Sequence, residues 1–158
     1  MYAYVAYRIG PGPDAEDVTS DVFERALRYK RSYDPNRGSP ITWLIGIARR
    51  ELAERAGQRE VPVGDLPDEP DDGELEQTSV ERLSLEAAMI ELAPRDRELL
   101  ALRYGGDLTA AQIGDLLGMQ TNAAEVALHR ALGRLRAHME PAPAPEPPQP
   151  QPTATTDG

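Results

Sequence analysis

Residues 108–136 read L-T-A-A-Q-I-G-D-L-L-G-M-Q-T-N-A-A-E-V-A-L-H-R-A-L-G-R-L-R. Two short amphipathic helices flanking a tight turn fit this stretch better than any other arrangement. Thr109 is placed to cap a helix starting at Ala110. Ile113 and Leu117 share one face of it, with Leu116 beside them. Gly114 leaves room for a crossing helix. Gly118 follows the last periodic residue, where a left-handed backbone without a Cβ is wanted. Met119 is an apolar plug between the helices, and Thr121 or Asn122 is positioned to cap the second one. Ala124, Leu128, Ala131 and Leu135 form the inward face of that helix, spaced four, three and four residues apart. This is the pattern of a helix-turn-helix that offers its second helix to a DNA major groove. A plain helical hairpin within a bundle has the same spacing, so both readings stand on this segment alone.

The net charge of −10 is unusual for a nucleic-acid binder, so its distribution matters. Residues 1–60 hold ten Lys/Arg and nine Asp/Glu, and residues 82–140 hold seven and eight. Residues 61–81 hold eight acids and no base. The acidity therefore sits in one segment between two near-neutral regions. Neither region is strongly basic, which predicts weak unaided affinity for duplex DNA, because phosphate neutralisation supplies most non-specific binding.

Four segments follow: 1–60, a helical module; 61–81, an acidic flexible linker; 82–140, a helix-turn-helix module; and 141–158, a disordered Pro-rich tail. The expected fold is all-α, two small helical domains on a disordered tether. In the first module, Tyr2–Ile9 reads as a short helix broken at Gly10-Pro11-Gly12-Pro13. Asp14 is a candidate cap for the next helix, whose stripe is Val18, Val22, Ala26 and Leu27 with Phe23 adjacent. After a turn at Tyr33–Gly38, Ser39 and Pro40 open a helix burying Ile41, Leu44, Ile45, Ala48 and Leu52. Arg49 and Arg50 fall to its side or outward. Helical spacing returns at Leu83, Leu85, Ala88, Met89 and Leu92. Pro94 begins a further helix with Leu99, Leu100 and Leu102, and Gly105-Gly106 stops it.

Several classes of chemistry are poorly served. No Cys is present, which removes disulfides and thiolate metal sites and suits a reducing cytoplasm. Two His make a His-based metal site improbable. No apolar run approaches the ~20 residues of a membrane span. No nucleophile–base pair or phosphate-binding glycine loop stands out, so neither catalytic residues nor cofactors are expected.

Longer blocks narrow the reading. D-A-E-D-V-T-S-D-V-F-E-R-A-L (14–27) and Y-D-P-N-R-G-S-P-I-T-W-L-I-G-I-A-R-R-E-L (33–52) resemble region 2 of the extracytoplasmic-function group of bacterial sigma factors. L-A-P-R-D-R-E-L-L-A-L-R-Y (92–104), with the helix-turn-helix and its L-H-R-A-L-G-R-L-R extension, resembles region 4 of the same group. The resemblance implies a cytoplasmic subunit that binds core RNA polymerase, through the β′ clamp helices and the β flap, and directs it to promoter DNA. An anti-sigma factor is a further implied partner. Asp17, Asp21, Val22 and Phe23 match the polymerase-docking surface, although Val22 and Phe23 serve equally well as core. Trp43, Arg49 and Arg50 match positions that capture unstacked bases of the −10 element, and Trp43 serves equally well in helix packing. Gln120, Thr121, Asn122, Glu125, Val126 and Arg130 match the −35-reading face, with Arg134 a further phosphate anchor.

Two features depart from the family pattern. The helical lead before Gly10 is short, so residues 1–60 alone are expected to be marginally folded. The reading helix carries Ala123-Ala124-Glu125-Val126-Ala127 where Lys and Arg are usual. Glu125 repels phosphates yet can accept a hydrogen bond from a cytosine amino group, and Val126 can touch a thymine methyl. Two alternatives stay open at this point: a stand-alone helix-turn-helix regulator, and a sigma-like decoy that binds polymerase or an anti-sigma factor without initiating.

Overall fold

Apolar residues recur at helical spacing through both halves of the chain, and all regular structure among the described residues is helical. The computed structural model describes residues 1–58 and 76–140. Most of the expected acidic linker and the whole expected Pro-rich tail lie outside them.

Seven helices follow in order: α1 (Tyr2–Ile9), α2 (Pro13–Arg28), α3 (Pro40–Gln58), α4 (Glu76–Glu91), α5 (Pro94–Leu100), α6 (Ala110–Leu117) and α7 (Thr121–Met139). A 3₁₀ turn at Lys30–Ser32 follows α2, and a π-helical turn at Ala101–Gly105 extends α5. The start of α4 corrects the expected linker boundary. Glu76–Glu81 is already helical, because this stretch lacks the Pro and Gly that punctuate residues 61–75.

The start of α2 is also corrected. Gly12, at φ 120°, is its N-cap and Pro13 is its first residue. Proline tolerates that position because the missing N–H has no helical partner there. Asp14 therefore lies within the first turn with Glu16, favourably placed for the helix dipole. Ser39 caps α3 as expected, its Oγ accepting from the Thr42 N–H at 3.4 Å.

The two modules share one apolar core. Tyr4, Val5, Ala15, Val18, Val22, Ile45, Ala48 and Leu52 from the first cluster with Leu99, Ala101, Leu102, Leu108, Ile113 and Ala124 from the second. A smaller cluster of Ala88, Met89, Leu92, Leu100, Ala131 and Leu135 joins α4, α5 and α7, and Tyr7 of α1 packs against both clusters. Helix α1 lies on α2 and on the π-helical turn. Gly105-Gly106 permits this approach. A Cβ on Gly105 would sit 2.6 Å from the Tyr4 Cα, and one on Gly106 would sit 2.6 Å from the Ile45 Cδ1. The pair ends a helix, as expected, and is also the crossing point of the two modules.

Not every apolar residue of the expected stripes is inside. Leu27 is 71% exposed and Leu83 58% exposed. Both lie off the three- and four-residue rows of their helices' buried residues and face solvent, since each helix buries only one narrow side.

Candidate nucleic-acid interface

The helix-turn-helix is built from local interactions. Thr109 and Gln112 form a reciprocal capping box: the Thr109 hydroxyl accepts from the Gln112 N–H at 3.2 Å, and the Gln112 side chain accepts from the Thr109 N–H at 2.9 Å. Gly118 adopts the left-handed conformation, φ 68° and ψ 37°, and ends α6. The Met119 N–H then donates to the Gly114 carbonyl at 2.9 Å. A Cβ on Gly114 would lie 2.6 Å from the Met119 carbonyl oxygen, so the turn folds back onto the glycine itself.

The N-cap of α7 differs from expectation. It is Gln120, in an extended conformation, with no side-chain cap. Thr121 and Asn122 are therefore inside the first turn and exposed, with their side chains unspent on capping. Exposed N–H groups at the start of this 19-residue helix favour an anion such as a phosphate.

Ala124, Ala131 and Leu135 are buried and Leu128 is half-buried, which anchors α7 along the expected seam. Asn122, Glu125, Val126 and Arg130 are exposed away from that seam, and Gln120 and Thr121 are exposed at the start of the helix. Asn122, Glu125, Val126 and His129 are one continuous helical stripe. His129 is a member that sequence reasoning missed as a candidate contact, although its spacing of three from Val126 was the available signal. Arg134 does not belong to this face. Its Nη1 donates to both carboxylate oxygens of Asp96 at 2.9 and 2.8 Å, tying α7 to α5.

In the first module the candidates separate. Asp17 and Phe23 are exposed on α2, with Phe23 46% accessible. Asp21 is half-buried and ion-paired to Arg55 of α3. Val22 is fully buried and packs in the shared core, so it supports this surface from beneath and is not part of it. The reason is geometric: Val18, Val22 and Ala26 recur every four residues on the inward side, and Phe23 is rotated away from them.

Beneath that surface, Arg25 pairs with Glu51 and Glu54, each at 2.8 Å, and Arg55 with Glu51 at 3.1 Å. The hydrogen bond from Arg25, followed by its charge, holds the Glu54 carboxyl below its ordinary range. The two Arg25 pairs, with Arg55–Asp21, cross-link α2 to α3, and Arg55–Glu51 lies within α3.

On α3, Trp43 and Arg50 are two turns apart and share a side. Trp43 is half-buried, its ring 5.5 Å from that of Tyr33 and tilted by 53°. Tyr33 in turn donates to the Gly38 carbonyl at 3.2 Å, bracing the preceding turn. Arg50 is exposed. Arg49 points instead into the seam between modules, donating from Nε to Glu98 at 2.8 Å and from Nη1 to the Leu116 carbonyl at 3.4 Å. The structure thus joins Trp43 with Arg50 and separates Arg49 from them. No helix among the described residues is long and apolar enough to cross a membrane.

Comparison with known proteins agrees with this geometry. Residues 1–60 match the family model for sigma-70 region 2, and residues 82–135 match that for sigma-70 region 4. Over 145 residues the chain is 30% identical to the ECF RNA polymerase sigma factor BldN of Streptomyces coelicolor, covering 85% of this chain and 54% of that protein. Over 139 residues it is 37% identical to ECF RNA polymerase sigma factor ShbA of Streptomyces griseus, covering 80% and 70% respectively. Among solved structures, the sigma factor RpoE of Bartonella quintana, crystallised with the anti-sigma factor NepR, matches with a TM-score of 0.70. That match has 18% identity and covers 87% of this chain and 88% of the other, which establishes likeness of fold.

Proposed function

The chain belongs to the extracytoplasmic-function group of sigma-70 factors, RNA polymerase subunits that select promoters, and we propose that it binds core polymerase and carries promoter recognition in two separate places. The α2 surface around Asp17, Asp21 and Phe23 docks on polymerase at the β′ clamp helices, and the second module contacts the β flap. Trp43 and Arg50 meet unstacked bases of the −10 element. Gln120, Thr121, Asn122, Glu125, Val126 and Arg130 face the −35 element. The protein acts where polymerase acts, in the cytoplasm, and an anti-sigma factor is a partner in its control.

The observation that carries this reading is the exposed stripe of α7. It stands on a helix held by its buried inward seam and by the tight turn from α6, a helix that starts with a complete capping box and ends at a left-handed glycine. Such a helix is presented rigidly, and its side chains are polar, small or β-branched, suited to base edges. The stripe includes an acid, and the module is near neutral, so polymerase must supply much of the grip on DNA.

Run-off transcription with purified core polymerase across a promoter library tests this. The reconstituted complex should initiate at a restricted set of −35 sequences, and the free chain should bind duplex DNA weakly. Glu125→Ala should relax the −35 preference, mainly at one position, with each lost discrimination about 1–3 kcal/mol. A chain that ignores core polymerase yet binds one duplex tightly by itself is a stand-alone regulator. One that binds polymerase without producing transcripts is a decoy.

A further inference from the structure

Among the described residues two charged side chains are buried, Glu51 and Asp96. Asp96 is held by one guanidinium, that of Arg134. Glu51, beside the buried Ala48 and Leu52 of α3, is held by two. Its Oε1 accepts from Arg55 Nε at 3.1 Å, and its Oε2 lies 2.8 Å from Arg25 Nε. Each arginine also has an outer acid. Arg55 Nη2 donates to Asp21 of α2, and Arg25 Nη2 donates to Glu54 at 2.8 Å. The side chains of Asp21 and Glu54 are 45% and 51% exposed, and that of Glu51 is 7% exposed. One inner carboxylate thus anchors two guanidinium groups, each of which holds an outer carboxylate as well.

Cross-linking of helices does not by itself call for this arrangement. Burying a carboxylate costs free energy that its partners only partly return, and a well-packed apolar side chain commonly serves as well or better. What Glu51 adds is a second partner for Arg55, so that Asp21 can leave that guanidinium without stranding it. Two further features favour such an exchange. Glu51 Oε2 makes no hydrogen bond of good geometry, so the inner carboxylate has acceptor capacity unspent. Arg55 also borders an open cleft of about 740 Å³, which leaves room for water at its outer nitrogens once Asp21 moves away.

We propose that Glu51 is a positioning residue for polymerase docking: it anchors Arg55 from within, so that Asp21 can exchange Arg55 for a cationic side chain of the polymerase. This rests on the docking role given to Asp21 above. In the free chain Arg55 fixes the Asp21 carboxylate at the edge of the docking surface. On docking that ion pair opens, the polymerase cation takes its place, and Arg55 falls back on Glu51. No guanidinium is left without a carboxylate at any stage. Without Glu51, Asp21 is the only carboxylate partner of Arg55 among the described residues. The pair then resists opening, because opening it leaves a partly buried cation unpaired.

Fluorescence anisotropy of the labelled full chain, titrated with purified core polymerase, tests the proposal through a double-mutant cycle. Asp21→Asn should weaken binding. Glu51→Gln should weaken it about threefold to tenfold in the wild-type background, and by less than about twofold in the Asp21→Asn background. Glu54→Gln removes the same charge without touching Arg55, and its effect should not depend on Asp21. A loss from Glu51→Gln that is equal in both backgrounds, or one that Glu54→Gln reproduces, would overturn the proposal. Should Glu51→Gln prove unfolded by circular dichroism, Arg55→Gln decides by sign. With its competitor gone, Asp21 should hold core about threefold more tightly than in wild type. Arg25→Gln, which removes the same charge away from Asp21, should show no such gain. Equal or weaker binding by Arg55→Gln, or an equal gain from Arg25→Gln, again overturns the exchange. An Asp21→Asn chain that binds core as tightly as wild type removes the docking role of Asp21, and the proposal with it. A loss from Asp21→Asn without the coupling removes the role of Glu51 alone.

Discussion

Single atoms decide how closely the two modules meet. Gly105 faces the backbone of Tyr4, which cannot turn aside as a side-chain tip can. Gly105→Ala should therefore cost about 1–3 kcal/mol in urea unfolding. Gly133, in α7 with open space around it, is the control: Gly133→Ala should gain about 0.5–1 kcal/mol from lower unfolded-state entropy. Tyr4 makes a second prediction. Burial pushes its phenol up from 10.0 to about 12, with the nearby Arg8 opposing the shift. The folded state thus holds the proton more tightly than the unfolded state. Its contribution is fully present below pH 10 and is lost as pH rises towards 12, by about 2–3 kcal/mol. Tyr4→Phe should lack that loss when wild type and variant are compared at alkaline pH. At neutral pH it should be slightly more stable, by up to about 1 kcal/mol, because the hydroxyl it removes has no partner. An equal alkaline loss in both proteins would contradict the assignment.

At the level of helices, what could be read in the sequence was what is decided locally. The capping box at Thr109, the left-handed Gly118 and the inward seam of α7 depend on residues within a few positions of one another, and periodicity reveals them. The N-cap of α7 falls one residue before Thr121, at Gln120, whose side chain makes no cap, because the turn folds back closely on Gly114. Arg134 was misread for another reason. Its partner Asp96 is 38 residues away, and no local pattern announces the pairing. The consequence is testable. Arg134→Ala strands a carboxylate that is 9% exposed and should cost about 1–3 kcal/mol, visible as a lower thermal midpoint. Arg130→Ala should leave the midpoint nearly unchanged and weaken −35 binding by the polymerase complex. The reverse pattern would return Arg134 to the DNA-facing surface.

Across the whole molecule, the seam was the part hidden from sequence. Two helical modules were legible from their separate periodicities, but nothing in either stripe says that the stripes share a core. The signs were faint: Arg8 follows Tyr4 at helical spacing on a side otherwise apolar, and two adjacent glycines stop a helix where one suffices. The shared core changes how the chain should unfold. Tyr4 and Val5 are buried against Ala101, Leu102 and Leu108, so either module alone exposes an apolar face that its own residues cannot cover. The core of residues 1–60 is small, and losing half its partners removes a large part of a marginal stability. The full chain should therefore unfold in one cooperative step. Trp43, the only tryptophan, reports on the first module, and far-ultraviolet circular dichroism reports on all helices. Their urea transitions should coincide, because neither module is stable enough to outlive the seam. A fragment of residues 1–60 should show a shallow, non-cooperative transition under the same conditions. A Trp43 transition separated from the circular dichroism transition, together with a cooperative one in the fragment, would mean that the modules fold independently and the seam adds little.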